Sequence, residues 1–174
     1  PSPDKTNPSP SILWNLDDDV FNNASRWGFT EKIELNSIKT TTAKRMTESW
    51  NSIPHVTQFD ECDITDLDKI RKLLKKNNND PKIKVSFIPF FMKTIVKVME
   101  KLTIFNTSLS DDGKYLIQKK YYNIGVAVNT DRGLLVPVIK DVDKKSIKQL
   151  SVELTSIVNK AKNKRLSLDD MSGA

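Results

Sequence analysis

Glycine, histidine, cysteine and aromatic side chains are all scarce. The 174 residues hold five glycines, one histidine and one cysteine, and 7% of them are aromatic. A single cysteine, Cys62, excludes an intrachain disulfide and fits a reducing compartment. A single histidine, His55, beside a single cysteine cannot build a His/Cys zinc site. Gly28, Gly113, Gly125, Gly133 and Gly173 are scattered, so there is no glycine-rich phosphate loop. No Gly-x-Ser-x-Gly elbow is present either. No apolar run approaches the roughly 18 residues of a spanning helix, which argues against a membrane protein. No cleavable signal peptide opens the chain.

What is there has an ordinary globular balance: 37% hydrophobic and 29% charged residues. The length fits one domain with a tail. Lys and Arg exceed Asp and Glu by 28 to 22, a net charge of +6. The lysines are spread along the chain and read as solvated faces, so no nucleic-acid partner is expected. The chain opens at Pro1 without an initiator methionine and closes on Ser172-Gly173-Ala174, where nothing caps a domain. The expectation is a piece of a longer protein, cut before a further strand.

Residues 1–30 divide from the rest. PSPDKTNPSPS cannot bury a core and reads as a linker. The arm that follows carries Trp14, Phe21, Trp27 and Phe29 in a polar background and is expected to lie on a folded surface, its own or a neighbour's. From residue 31 the pattern is that of a folded domain. Ser37 is expected to cap a helix to about Trp50, with Ile38, Ala43, Met46 and Trp50 near one stripe. Residues 55–64 alternate and read as a strand lined by polar groups. Thr65 and Asp68 resemble a capping box opening a helix with Leu67, Ile70, Leu73 and Leu74 inward.

Ser86 is expected to cap the most hydrophobic helix, with Pro89 in its first turn and Phe87, Phe90, Phe91, Ile95, Val98 and Met99 as its stripe. Residues 107–118 read as a hairpin turning at Gly113. Residues 123–130 and 134–140 are strand-like, apolar enough to be buried on both faces, with a turn at 131–133. Pro137 marks an edge or a bulge in the second of them. Ser146 caps a long amphipathic helix burying Ile147, Leu150, Leu154, Ile157, Val158 and Ala161. Ser167 starts a short last helix. The fold class is α+β: a sandwich of a mixed sheet with helices on one side.

The stretches AKRMTESW (43–50), IPHVTQFDECDITDLDKIRK (53–72), VSFIPFFMKTIVKVMEK (85–101), FNTSLSDDGK (105–114), KYYNIGVAVNTDRGLLVPVIKDVDKKSI (120–147) and RLSLDDMSGA (165–174) resemble dihydrolipoamide acyltransferases. These are the second components of 2-oxo-acid dehydrogenase complexes. Residues 31–174 resemble the N-terminal part of their catalytic core, and the IPHVT and NIGVAV wording is most like the pyruvate, or acetyl, branch. The resemblance implies a chloramphenicol-acetyltransferase-like fold, here truncated before its C-terminal half. It implies acetyl transfer from dihydrolipoamide to coenzyme A. It also implies homotrimers that assemble into a larger core with the other pyruvate dehydrogenase components. The lipoamide would ride on an upstream lipoyl domain absent from this chain. The compartment implied is the bacterial cytoplasm, or the mitochondrial matrix of a eukaryote, with the bacterial case favoured.

The family's His-x-x-x-Asp-Gly motif is absent: His55 has Phe59 four residues on. In the family that imidazole takes the thiol proton of coenzyme A, the thiolate attacks the acyl-lipoyl carbonyl, and a serine hydroxyl steadies the oxyanion. No catalytic residue is therefore assigned here. The alternative reading is a core-scaffold protein of the same complex without catalysis. By position, the family's coenzyme A contacts fall on Arg71, Ser86 and Asn129, where the family commonly has Asp at 129. Arg45 falls where the fold's relatives pair an arginine with the aspartate of the distant motif and so order the site. Each residue also has a plain structural reading: Arg71 and Arg45 as helix-face charges, Ser86 as an N-cap, His55 as a satisfied structural histidine, Cys62 as a small buried hydrophobe.

Overall fold

The structure is a computed structural model that describes residues 23–78, 80 and 83–174. The linker, Trp14 and Phe21 lie outside the described residues. Helix α1 spans Ser37–Ser52. Its cap is Asn36, one residue before the expected Ser37, because the Asn36 side chain accepts the Lys39 N–H at 2.9 Å. It stops at Ile53, which is extended as a residue before proline must be. Of its expected stripe, Ile38 and Ala43 are half-buried and Met46 and Trp50 are exposed.

Residues 55–64 do not form the expected strand. They run irregularly with no neighbour to pair with, and alternation without a hydrogen-bonding partner makes no ladder. Asp63 then starts helix α2, Thr65–Lys76, by accepting the Thr65 N–H at 2.8 Å and its hydroxyl at 2.6 Å. Those two bonds hold the Asp63 carboxyl below its ordinary range. The expected Thr65/Asp68 box does not form, since Asp68 turns to Arg71 and Lys72 instead.

Helix α3, Ile88–Lys101, begins two residues after Ser86, and Phe87 rather than Ser86 holds the cap position. Pro89 sits in the first turn, where its missing N–H costs nothing. The buried stripe is Pro89, Phe90, Met92 and Val96. Phe91, Ile95 and Val98, expected inward, form a neighbouring stripe that stays 44–47% exposed. A helix apolar on two adjacent stripes can bury only one against a single layer.

Strands β1 (Thr107–Leu109) and β2 (Leu116–Gln118) pair antiparallel around Gly113, whose φ of 69° suits the turn. A second hairpin is interrupted. β3 (Ile124–Gly125) pairs with β6 (Val138–Ile139), and β4 (Val128–Thr130) pairs with β5 (Gly133–Leu135). Between the two ladders Val126 donates to the Pro137 carbonyl at 2.8 Å. Pro137 has no N–H to return, which is the break the sequence foretold. The described residues thus hold three two-stranded antiparallel ladders, not the single mixed sheet expected. Burial on both faces is partial: Val128, Val138 and Ile139 are buried, but Leu134 and Val136 are about half exposed.

Helix α4, Ile147–Lys162, opens with a full capping box between Ser146 and Gln149. It buries Leu150, Ser151, Leu154, Ile157 and Ala161, with Ile147 and Val158 half-buried. A short 3-10 turn, Asp169–Met171, follows, with Ser167 accepting from the Asp170 N–H. The core is one cluster, Met92, Val96, Ile139, Val142, Leu150, Leu154 and Ile157, held between α3, α4 and the second hairpin. No helix among the described residues is long and apolar enough to cross a membrane.

Candidate functional site

Arg71 projects from the middle of α2 and is held on three sides. Its Nε and Nη2 donate to one oxygen of Asp68, one turn earlier, at 2.9 and 2.6 Å. Its guanidinium carbon lies 4.7 Å from the centre of the Phe87 ring, over its face. Nη1 makes only a long 3.5 Å bond to the Val85 carbonyl. Asp68 is shared with Lys72 at 2.8 Å. Its bonds to Lys72 and Arg71 hold its carboxyl below the ordinary carboxylate range, so it is ionised at neutral pH.

The segment 84–87 meets this arginine because two anchors fix it. The Lys84 N–H donates to the Thr155 hydroxyl of α4 at 3.4 Å. Phe87 stacks on Phe91, centroids 6.2 Å apart, at the start of α3. Between these anchors the Ser86 hydroxyl oxygen is buried and has no hydrogen-bond partner. A buried hydroxyl left unpaired is costly to the fold. Arg71 and Ser86 are therefore brought to one place.

The other two candidates stand elsewhere. Asn129 sits mid-strand in β4 opposite Leu134, exposed, and its side chain takes no hydrogen bond among the described residues. Arg45 is exposed on α1 and has no ion pair among the described residues. His55 is satisfied locally: its Nδ1 lies 2.6 Å from the Ile53 carbonyl and its ring stacks on Trp50 at 5.0 Å. Cys62 is exposed, not buried as its residue type led us to expect, as are all the residues from 55 to 64 around it. Asp68 and Phe87 were missed as neighbours of the site. The signals were present: Asp68 stands three residues before Arg71 on a helix, and Phe87 follows Ser86.

A family model described as 2-oxoacid dehydrogenases acyltransferase (catalytic domain) matches residues 28–174. The chain belongs to this family. Among curated acyltransferases it is 43% identical over 150 residues to the dihydrolipoyllysine-residue acetyltransferase component of the pyruvate dehydrogenase complex of Pseudomonas aeruginosa. It is 42% identical to the component of the same name from Buchnera aphidicola. These matches cover 86% and 83% of the chain but only 27% and 37% of the relatives. Among solved acyltransferase structures, that of Azotobacter vinelandii dihydrolipoamide acetyltransferase superimposes with a TM-score of 0.84 at 38% identity, covering 87% of this chain and 63% of that one. A truncated catalytic core of the 2-oxoacid dehydrogenase multienzyme complex from Thermoplasma acidophilum gives 0.77 at 30% identity, covering 83% and 66%. A further match of 0.84 is to the cubic core of a pyruvate dehydrogenase multienzyme complex. The helices and small sheets of this chain are thus those of an acyltransferase catalytic core.

Proposed function

We propose that this chain is part of an acetyltransferase that moves an acetyl group from dihydrolipoamide to coenzyme A in a pyruvate dehydrogenase complex, and that it builds the oligomeric core of that complex. In this reading residues 1–30 are linker and arm and residues 31–174 belong to the catalytic core, a chloramphenicol-acetyltransferase-like sandwich when assembled. The reading includes homotrimers joining into a larger core, association with the other components of the complex, and residence in a bacterial cytoplasm.

The observation that carries it is the pairing of a fixed arginine with an unpartnered hydroxyl. The Arg71 guanidinium is immobilised beside segment 84–87, and the Ser86 hydroxyl there is buried and free. Together they offer a phosphate-bearing thiol substrate a charged fork and a hydroxyl. Asn129 would add a neutral amide contact, and Arg45 would order a more distant part of the site through an aspartate. In the reaction a carbon–sulfur bond forms between the acetyl carbon and the coenzyme A thiolate. The acetyl–lipoyl carbon–sulfur bond breaks, and the thiol proton of coenzyme A ends on the released lipoyl sulfur. The residues described here bind and orient; they do not move that proton.

The second reading, a core protein that assembles without catalysing, draws on the large apolar side chains left exposed at Trp27, Phe29, Val56 and Phe59, which suit assembly and need no catalysis. One assay separates the two. The native assembly is given acetyl-CoA and dihydrolipoamide, and conversion of acetyl-CoA to free coenzyme A is followed by chromatography. Turnover that falls in Arg71→Ala through a raised KM for the coenzyme supports the enzyme. An assembly of full size with no turnover supports the scaffold.

A further inference from the structure

We propose that Asp68 and Phe87 are positioning residues that prepare Arg71 to fork a phosphate oxygen of coenzyme A with its terminal nitrogens. The inference rests on the reading of Arg71 as a coenzyme contact and adds to it how the guanidinium is aimed. A guanidinium has one lateral edge, Nε with Nη2, and one terminal edge, Nη1 with Nη2. The lateral edge is taken up by a single oxygen of Asp68 at 2.9 and 2.6 Å. The plane is set by the Phe87 ring 4.7 Å away. What remains is the terminal edge, engaged only by the 3.5 Å contact to the carbonyl of Val85, the residue before Ser86. A long bond of that kind gives way easily to a phosphate oxygen.

Asp68 is an odd residue to find beside a phosphate, since its charge repels one. That conflict makes the inference testable. If Asp68 acts only through its charge, neutralising it tightens coenzyme binding. If it acts by holding Arg71, neutralising it weakens binding, because the arginine must then be ordered at the moment of association.

The experiment is steady-state kinetics on the intact acyltransferase assembly with Asp68→Asn, Asp68→Glu, Phe87→Leu, Arg71→Ala and Lys72→Met. Arg71→Ala is expected to raise the KM for coenzyme A by ~10-fold or more, the loss of a charge-assisted bond. Asp68→Asn and Phe87→Leu are expected to raise it by about 3- to 10-fold, with kcat and the KM for the co-substrate S-acetyldihydrolipoamide little changed. Asp68→Glu is expected to recover part of the loss. Lys72→Met breaks the other ion pair of Asp68 and leaves Arg71 held, so the KM is expected to stay as it was. An unchanged or lowered KM in Asp68→Asn, while Arg71→Ala is impaired, overturns the positioning role and leaves the Arg71 reading standing. A KM unmoved by Arg71→Ala overturns that underlying reading. A rise in Lys72→Met equal to that in Asp68→Asn assigns the effect to fraying of α2 and overturns the inference. Phe87→Leu keeps the question open to refutation if the Asp68 variants do not fold: no rise in KM there removes the ring from the argument.

Discussion

A buried hydroxyl without a partner is destabilising by about 1–3 kcal/mol relative to a paired one, so the Ser86 oxygen costs the fold stability. Ser86→Ala removes that unpaired oxygen and leaves the methylene-sized volume filled. Its thermal midpoint is expected to equal or exceed that of the parent, while the KM for coenzyme A rises several-fold. A lowered midpoint with unchanged KM would make Ser86 an ordinary structural serine. The sequence pointed to this residue for two reasons. As an N-cap it fails, because helix α3 starts at Ile88 and the bulky Phe87 occupies the cap position. What the fold shows instead is a buried hydroxyl oxygen with no hydrogen-bond partner among the described residues. Arg71 was legible as a charge, but its fixed orientation was not. That depends on Phe87, sixteen positions away, which only the folded chain brings beneath it. Asn129 and Arg45 remain isolated among the described residues, so nothing local in the chain explains them as a site.

Elements whose order is settled by near neighbours were the ones readable in advance. Helix α4 has its stripe and its cap written within about twenty residues: the Ser146 cap forms as expected, and Leu150, Leu154, Ile157 and Ala161 of the expected stripe are buried. Both hairpins carry their turns in the sequence, and Pro137 predicted the interruption. The failures share one cause, a partner outside the local stretch. Residues 55–64 alternate like a strand but have no ladder to join. The second apolar stripe of α3 has no layer to meet. Because α4 lies against the core through five buried side chains, its first turn is a sensitive place to perturb. Ser146→Ala removes the hydroxyl that accepts the Gln149 N–H at 3.3 Å and breaks the reciprocal box. The expected cost is about 1 kcal/mol. It should appear in urea titration as a lower midpoint with an unchanged slope. A changed slope would mean that α4 frays independently of the core.

At the scale of the molecule, many large apolar side chains of the described residues are left exposed. Trp27 and Phe29 are 90% and 97% exposed, and Val56 and Phe59 are 93% and 90% exposed. The arm was expected to lie on a folded surface, and these two anchors stay exposed among the described residues. The unpaired segment 55–64 and the bare stripe of α3 belong to the same pattern. Large exposed apolar patches on a folded chain mark surfaces made to be covered. One solved relative is the cubic core of a pyruvate dehydrogenase multienzyme complex, and under the proposed function further copies of this chain would cover such surfaces. The overall sandwich was the least legible level: a single mixed sheet was expected, and the described residues hold three two-stranded ladders. The consequence can be measured. Val56 and Phe59 contribute little to this chain's own core, so Val56→Asp with Phe59→Asp should leave the helical circular dichroism intact. If the segment is covered by a neighbouring copy, burying two carboxylates there is strongly unfavourable. Sedimentation velocity should then show the assembly falling to smaller species at concentrations where the parent remains whole. An assembly of undiminished size would take 55–64 out of the interface and leave the arm and α3 as the surfaces through which copies meet.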